Sequence, residues 1–431
     1  MRETLPKKIA IVVYYNNINK YSFNALIGAL DNEKELDDII IYFARTKEEL
    51  LKELINIAEK YEKIILGISF FTTQLWEIYR LVKTIRKNLE TKILCIAGGP
   101  HPSGDPEGTL KMGFDVVFIG ESEETLIEFL KEIRNEGDYR IIKGIAYIDK
   151  NKNYHYTGKR YPIDLDEYPP FPVKYNKFGA IEITRGCPYI CYFCQTPFIL
   201  GTYPRHRSIE SICKYVELMK SKNLTDIRFI TPNAFSYGSI DGKTLNLIKL
   251  EELLKKIKEI IQPKGRIFFG SFPSEVRPEH VNDWTLDLIL NYASNDNIII
   301  GAQSGSQKVL DFCHRDHTIE DVYRAVELTL SKNLKANVDF IFGLPGENKQ
   351  DIRLTIDMMK NLAKMGAKIH THSFIPLPQT PFAKKDVGRI NKDIQNAIME
   401  LTSNGYAFGE WRKQENLAIK IGKYLKNGKI K

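Results

Sequence analysis

Two consecutive α/β units are predicted for this chain: a doubly wound, Rossmann-like parallel sheet, followed by a partial (β/α)6 barrel of the TIM type. Three observations predict them. Five short apolar runs alternate with amphipathic segments over residues 8–135, prolines cluster between 162 and 172, and a second alternation of six strand and helix patterns runs from 179 to 404.

The bulk properties agree. The chain has 431 residues, 43% hydrophobic and 27% charged, the balance of a folded globular protein and not of a disordered one. At roughly 100–200 residues per domain this length allows two to four domains, and a core of that size needs no disulfide staples. The 62 Lys and Arg residues against 54 Asp and Glu give a net charge of +8 spread along the chain, which permits contact with nucleic acid without arguing for it. No run approaches the roughly 18 apolar residues of a membrane span. The N-terminus, MRETLPKKIAIVVYYNN, has no small-residue cleavage site and reads as a first strand, so no membrane partner and a cytoplasmic location are expected.

In the first unit the strands are KIAIVVYY (8–15), DIIIYFA (38–44), KIILGISF (63–70), KILCIAGG (92–99) and DVVFIG (115–120), with helical spacing at 46–61, 72–89 and 122–135. Thr46 with Glu49, and Ser122 with Glu124 and Glu128 nearby, mark helix starts. In such sheets ligands lie beyond the carboxyl ends of the strands. There this chain carries SFFTT, GGPHPSGDPEG and GESEET; Gly98 and Gly99 would let the backbone approach a ligand, or simply make a tight turn. A hairpin is expected at 140–160, followed by the prolines Pro162, Pro169, Pro170 and Pro172 of a linker. The predicted division is therefore 1–139 for the first unit, 140–176 for hairpin and linker, 177–385 for the barrel, and 386–431 for a helical segment with a basic tail.

The barrel strands are predicted at 180–186, 226–231, 266–272, 297–305, 337–343 and 368–376, with helices at 208–222, 249–262, 278–292, 319–333, 349–365 and 389–404; Ser208 is the expected N-cap of the first. Immediately after the first strand stands ITRGCPYICYFCQTP, which places Cys187, Cys191 and Cys194 within eight residues. Three structural thiols at this density would be a coincidence. Zinc normally takes a fourth ligand, for which His206 is available twelve residues on. The third reading is an iron–sulfur cluster held by three thiolates. Four thiolates would close it, whereas three leave one iron open to a substrate. Gly186 and Pro188 suit the entrance of a tightly wrapped loop, and the carboxyl end of a barrel strand is where barrel chemistry is done.

The Cys-x3-Cys-x2-Cys pattern after a first barrel strand resembles the signature of the radical S-adenosylmethionine (radical SAM) superfamily. The resemblance implies that Cys187, Cys191 and Cys194 hold a [4Fe–4S] cluster whose open iron binds SAM, and that the reduced cluster cleaves SAM to methionine and a 5′-deoxyadenosyl radical. It also implies an external one-electron donor of ferredoxin or flavodoxin type. Phe193 would then pack near the adenine. IIIGAQSGSQKVLDFCHRDHT (298–318) is similar to the fourth-strand stretch near the SAM ribose, with Gln303 where an acidic residue is usual and Ser304 beside it. FIFGLPGEN (340–348), containing Gly343, resembles the adenine-contacting segment, and SFIPLPQTPF the sixth-strand PLPGTP with Gln379 for glycine. Where the family often places a Gly-Gly-Glu motif for the SAM amino group, this chain has FITPNAFSYG, in which Asn233 and Ser236 can donate or accept.

The first unit resembles the cobalamin (B12)-binding domain that precedes many radical SAM cores, which adds cobalamin as a candidate cofactor. Ser69 and the Gly98-Gly99 pair match two parts of its pattern, but the loop YYNNINKYSFNAL lacks the histidine of the third. The implied function is radical activation of an unreactive C–H bond in an unknown substrate, with methyl transfer as the natural outcome where cobalamin is bound and a rearrangement or sulfur insertion where it is not. Two alternatives stand beside it: a methylthiotransferase-like tRNA-modifying enzyme, and a zinc-stabilised nucleic-acid-binding scaffold built on the three cysteines and His206. The first would need a second cluster, yet only Cys95 precedes Cys187. His101, His314, His317, His370 and His372 are read as mainly structural, with His370 and His372 sharing one strand face, and Cys95, Cys213 and Cys313 as core.

Overall fold

The computed structural model describes residues 9–89 and 93–430, and within them the chain forms two compact units that meet between Gly179 and Ala180. Residues 1–8 and Lys92, the first residue of the predicted fourth strand, lie outside the described residues.

The first unit holds the strands β1 (Ile9–Tyr14), β2 (Ile40–Ala44), β3 (Lys63–Ser69), β4 (Ile93–Gly98), β5 (Val116–Phe118), β6 (Ile145–Ile148) and β7 (Tyr154–Tyr156) in one sheet of order β2-β1-β3-β4-β5-β6-β7. The first five run parallel, while β6 and β7 add antiparallel at the edge. The hairpin predicted at 140–160 is therefore part of this sheet. The order 2-1-3-4-5 puts the topological switch between β1 and β3, where ligands of such sheets bind. β1 is buried at all six positions and β3 at its last six, as apolar strands covered on both faces must be.

The helices of this unit are α1 (Lys20–Leu30), α2 (Lys47–Ile57), α3 (Leu75–Asn88), α4 (Pro100–Gly104), α5 (Pro106–Lys111) and α6 (Glu123–Arg134). Thr46 caps α2 in a full capping box with Glu49. Ser122 precedes α6 without capping it, since its hydroxyl donates to the Gly120 carbonyl at 3.1 Å. Leu50, Leu54 and Ile57 bury the inner stripe of α2, each contributing on the order of 1.5–3 kcal/mol. Sequence spacing gave no sign of α1.

The second unit carries β8 (Ile181–Glu182), β9 (Thr184–Arg185), β10 (Arg205–His206), β11 (Asp226–Ile230), β12 (Arg266–Phe268), β13 (Asn297–Gln303), β14 (Lys335–Phe342), β15 (Lys368–Ser373) and β16 (Ala407–Phe408). Its helices are α7 (Thr196–Leu200), α8 (Ile209–Ser221), α9 (Leu247–Ile261), α10 (Asp283–Tyr292), α11 (Gln307–Phe312), α12 (Ile319–Ser331), α13 (Lys349–Met365), α14 (Lys392–Ser403) and α15 (Trp411–Asn427). Strands β8, β11 and β12 pair in parallel, as do β13, β14, β15 and β16. A parallel bridge from Val276 to Ile300 joins the two sets, so six βα strands run in chain order around an open barrel. Ser208 caps α8 by accepting from Ser211 N, as expected.

Residues 405–427 fold onto the barrel edge. Phe408 pairs with His370, and α15 packs along β15, where Ser373 N donates to Gln414 Oε1 at 2.8 Å and Ser373 Oγ to the Trp411 carbonyl at 2.6 Å.

Candidate functional site

The cysteine loop leaves the barrel where the first strand ends. Gly186 turns the chain at φ +91°, and a Cβ there would overlap the Tyr203 carbonyl, so only glycine fits. Cys187 N donates to Gly201 O and Cys194 N to Cys191 O, both at 3.0 Å, which folds the loop back on itself. Several side chains clamp it from outside. Tyr192 stacks on His314 at 5.3 Å, the His314 ring nitrogen Nδ1 lies 3.0 Å from Tyr189 O, and Arg277 covers the Tyr189 ring at 3.4 Å. Gln195 Nε2 donates to Pro378 O at 2.9 Å.

The three cysteines are free thiols with neighbouring sulfurs. Burial, and then the other two thiols, push Cys187 up to about 11, and burial raises Cys194 as well. Arg315 brings the opposing charge. Its Nη1 donates to Cys191 Sγ at 3.6 Å and its Nη2 to Gly301 O at 2.9 Å, while its Nε faces no acceptor. This buried cation beside the loop suits thiolates that hold a metal cluster. In sequence Arg315 is one residue of a longer motif, and its contact with Cys191 comes from folding residues 124 positions apart together.

The zinc reading loses its fourth ligand. His206 Nδ1 lies 2.9 Å from Thr184 Oγ1 and its Nε2 donates to Ser239 O at 2.8 Å, so both ring nitrogens are engaged. Among the described residues, the set of three His, Cys, Asp or Glu donors that closes to within 4.8 Å excludes all three cysteines. The three sulfurs thus lie further apart than the ligands of one ion would.

Beside the loop the barrel opens into a cavity of about 320 Å³. Phe193 and Gln303 line it, together with Glu275, Asp339, His372 and Gln414. Gln303 adopts a left-handed φ of +72°, rare for a residue with a side chain. Glu275 is exposed to the cavity, and desolvation there, followed by the charge of Asp339, raises its carboxyl above the ordinary range. His370 and His372 share a strand face as expected, and both meet Asp339.

The four other expected cofactor contacts of this unit stand outside the lining of this cavity. Both amide atoms of Asn233 are engaged, Nδ2 at 2.6 Å from His280 Nδ1 and Oδ1 accepting from Arg277 N. Ser236 Oγ donates to Asn233 O at 3.0 Å. Ser304 is fully buried, its hydroxyl accepting from Ser306 N at 3.2 Å. Gly343, at φ +75°, packs its α-carbon against Gly388. Cys95 and Cys313 are core, as expected, whereas Cys213 is only partly buried.

In the first unit, Ser69 and Gly98 stand at the carboxyl ends of β3 and β4 over an apolar slot lined by Val13, Phe23, Ile27, Ile96 and Phe118. Ser69 Oγ is buried without a hydrogen-bond partner, and a Cβ on Gly99 would lie 2.5 Å from it. An orphaned hydroxyl facing a glycine cradle at the sheet's ligand edge fits a bound cofactor. In the loop without a histidine, Asn19 Nδ2 donates to Tyr14 O at 2.9 Å and to Ser69 O at 2.8 Å, spanning the switch point.

A three-cysteine loop at the mouth of a partial barrel, preceded by a sheet with a cofactor cradle, defines the class of radical enzymes that work with an iron–sulfur cluster. Residues 181–359 match the Radical SAM superfamily and residues 7–130 the B12 binding domain. The chain thus joins a B12-binding domain to a radical SAM domain and is an enzyme whose cofactors are a [4Fe–4S] cluster, SAM and cobalamin, and which requires a reductant and a substrate. It is 24% identical to an uncharacterized methyltransferase of Pyrococcus horikoshii, covering 76% of this chain and 71% of the other. It is 27% identical to the tRNA-2-methylthio-N(6)-dimethylallyladenosine synthase of Petrotoga mobilis, covering 80% and 79%. Its fold is that of the radical SAM methyltransferase TsrM of Kitasatospora setae, solved with cobalamin and a [4Fe–4S] cluster, at a TM-score of 0.68 and 16% identity over 88% of this chain and 77% of the other. Among the described residues no helix is long and apolar enough to cross a membrane.

Proposed function

We propose that this chain is a cobalamin-dependent radical SAM methyltransferase that methylates an unactivated carbon of a small polar substrate held in the barrel cavity. The observation that carries the reading is the pairing of two sites in one chain: the clamped loop of Cys187, Cys191 and Cys194, and the cradle of Ser69, Gly98 and Gly99. When bound, the cluster supplies one electron for SAM cleavage, and cobalamin supplies a carrier for the methyl group. The protein's part is positioning. Arg315 offsets the negative charge of the thiolates, Phe193 and Gln303 present an aromatic face and an amide to the cavity, and Glu275 offers a carboxylate to substrate N–H or O–H groups. The proposed electron donor is a ferredoxin or flavodoxin and the proposed location the cytoplasm.

The methylthiotransferase reading is disfavoured by the cysteine count. The first 186 residues offer only Cys95, which is fully buried in β4 with its thiol pushed up by burial to about 12.

Anaerobic reconstitution with iron, sulfide and hydroxocobalamin tests the proposal. The expected protein is brown, binds one cobalamin per chain and cleaves SAM under reductant, while Cys187→Ala loses the cluster absorbance and the cleavage. A colourless protein containing zinc would overturn it.

A further inference from the structure

Asp339 on β14 and His370 on β15 are register partners in parallel strands, and His372 lies two residues on, on the same face of β15. This geometry makes a tripod. His370 Nδ1 lies 2.9 Å from Asp339 Oδ1 and 3.0 Å from His372 Nε2, and His372 Nε2 lies 3.9 Å from Asp339 Oδ1. Protons satisfy this triangle only if one hydrogen on His370 Nδ1 is split between Asp339 Oδ1 and His372 Nε2. If His370 Nδ1 carries a hydrogen it serves Asp339, and its lone pair is then unavailable to a proton on His372 Nε2. If His372 Nε2 carries the hydrogen, the His370 lone pair faces a carboxylate oxygen at 2.9 Å. Three acceptor atoms converging on one point with too few hydrogens between them are what a metal ion satisfies. The contact that favours a proton on His372 Nε2, Gln414 Nε2 at 3.5 Å from the other ring nitrogen, is at the limit of a hydrogen bond.

The surroundings hold the tripod in place. The Phe408 ring stacks on His370 at 4.5 Å and 12°, fixing the imidazole plane, and Asp339 is 5% exposed. Asp339 and His372 line the cavity, with Glu275 and Gln303 on its other walls. A carboxylate balances two positive charges only in part, and three protein ligands leave coordination positions free on the cavity side.

We infer that Asp339, His370 and His372 form a mononuclear site for a divalent transition metal on the cavity wall, with its open positions available to an oxygen or nitrogen atom of the substrate. Two imidazoles and one carboxylate suit zinc or iron(II) and disfavour magnesium or calcium, which prefer oxygen. The ion acts as a Lewis-acid anchor that orients the substrate and is separate from the cysteine-bound cluster.

The test uses the full chain carrying Cys187→Ala, Cys191→Ala and Cys194→Ala, which removes thiolate competition, so that failure of this site and failure of the proposed function read separately. Anaerobic titration with cobalt(II) is expected to saturate at one ion per chain, with visible bands free of thiolate charge transfer that shift when azide is added. Adding His370→Ala or His372→Ala abolishes the bands, and the near-isosteric Asp339→Asn, which guards against misfolding of the others, weakens binding at least about tenfold, or about 1.4 kcal/mol. No saturable binding, or binding unchanged in all three variants, overturns the site and leaves a proton-sharing triad in its place. Bands insensitive to azide overturn the open positions.

Discussion

Arg315 and Cys191 meet 124 residues apart in sequence, with a guanidinium nitrogen 3.6 Å from the sulfur, and the same guanidinium is held in place by the Gly301 carbonyl at 2.9 Å. If Cys191 holds the proposed cluster, a fixed cation this close to its sulfur stabilises whichever state carries more negative charge. Arg315→Gln is therefore expected to lower the midpoint potential of the reconstituted cluster by about 60 mV, a tenfold change for one electron, in a redox titration followed by electron paramagnetic resonance. An unchanged potential would remove Arg315 from the electrostatics of the site.

Gly98 and Gly99 are adjacent but not equivalent. Gly99 has φ +93°, and a Cβ would press on Ser69 Oγ at 2.5 Å and on Phe70 N at 3.1 Å, whereas the nearest atom to a Cβ on Gly98 is 3.9 Å away. Gly99→Ala should cost about 2 kcal/mol in thermal melts and weaken hydroxocobalamin binding. Gly98→Ala should stay within about 0.5 kcal/mol of the parent. Equal effects would mean that the cradle is not set by Gly99.

Glu347 gives a pH signature. Its Oε2 accepts from Gly343 N at 3.0 Å, its Oε1 is buried without a partner, and burial raises the carboxyl to about 7. The folded state thus binds the proton more tightly than the unfolded chain, and the stabilisation this gives is fully present below the ordinary carboxyl pKa and lost as pH rises to 7. Glu347→Gln keeps the acceptor without the charge. It is expected to melt at a higher temperature than the parent at pH 8, by the equivalent of about 1–2 kcal/mol, and to match it at pH 4.5. A constant difference between the two pH values would count against the assignment.

Gln414 ties α15 to the barrel. Removing its Oε1 leaves the Ser373 N–H, which is buried in β15, without its acceptor. Gln414→Ala should cost about 1–3 kcal/mol in denaturant unfolding, and Gln414→Glu, which keeps an oxygen there, much less.

Apolar runs and helical spacing located the described strands of the first sheet and the six strands of the barrel, because burial on both faces writes itself into composition. The short helices α4, α5, α7 and α11 escaped, and so did α1 and β16. Helix α1 carries no capping signal, since the side chain of Asn19 before it is spent on Tyr14 O and Ser69 O. The C-terminal helix was expected and is α15, but β16 was not, because Ala407 and Phe408 make too short a strand to show a pattern and its partner β15 lies more than thirty residues earlier. In the site, spacing alone singled out the three cysteines. Asn233 and Ser236 have the right chemistry for a cofactor contact, and their bonds to His280, Arg277 and each other arise only in the fold, which no sequence pattern reports. Glu275, Asp339 and Arg315 are ordinary charged residues in sequence and acquire meaning only through the cavity they share or the loop they touch.

The hairpin of β6 and β7 has a consequence for how the chain behaves among its own copies. β5 is only three residues long, and without a neighbour it would offer open backbone donors and acceptors on a flank of apolar parallel strands. The hairpin takes up that flank and ends it in a three-residue strand, beside a turn in which Asp149 accepts from the backbone of Asn151 and Asn153. A strand that short gives an incoming chain little to pair with, so on this side the sheet is protected against growing by edge-to-edge aggregation.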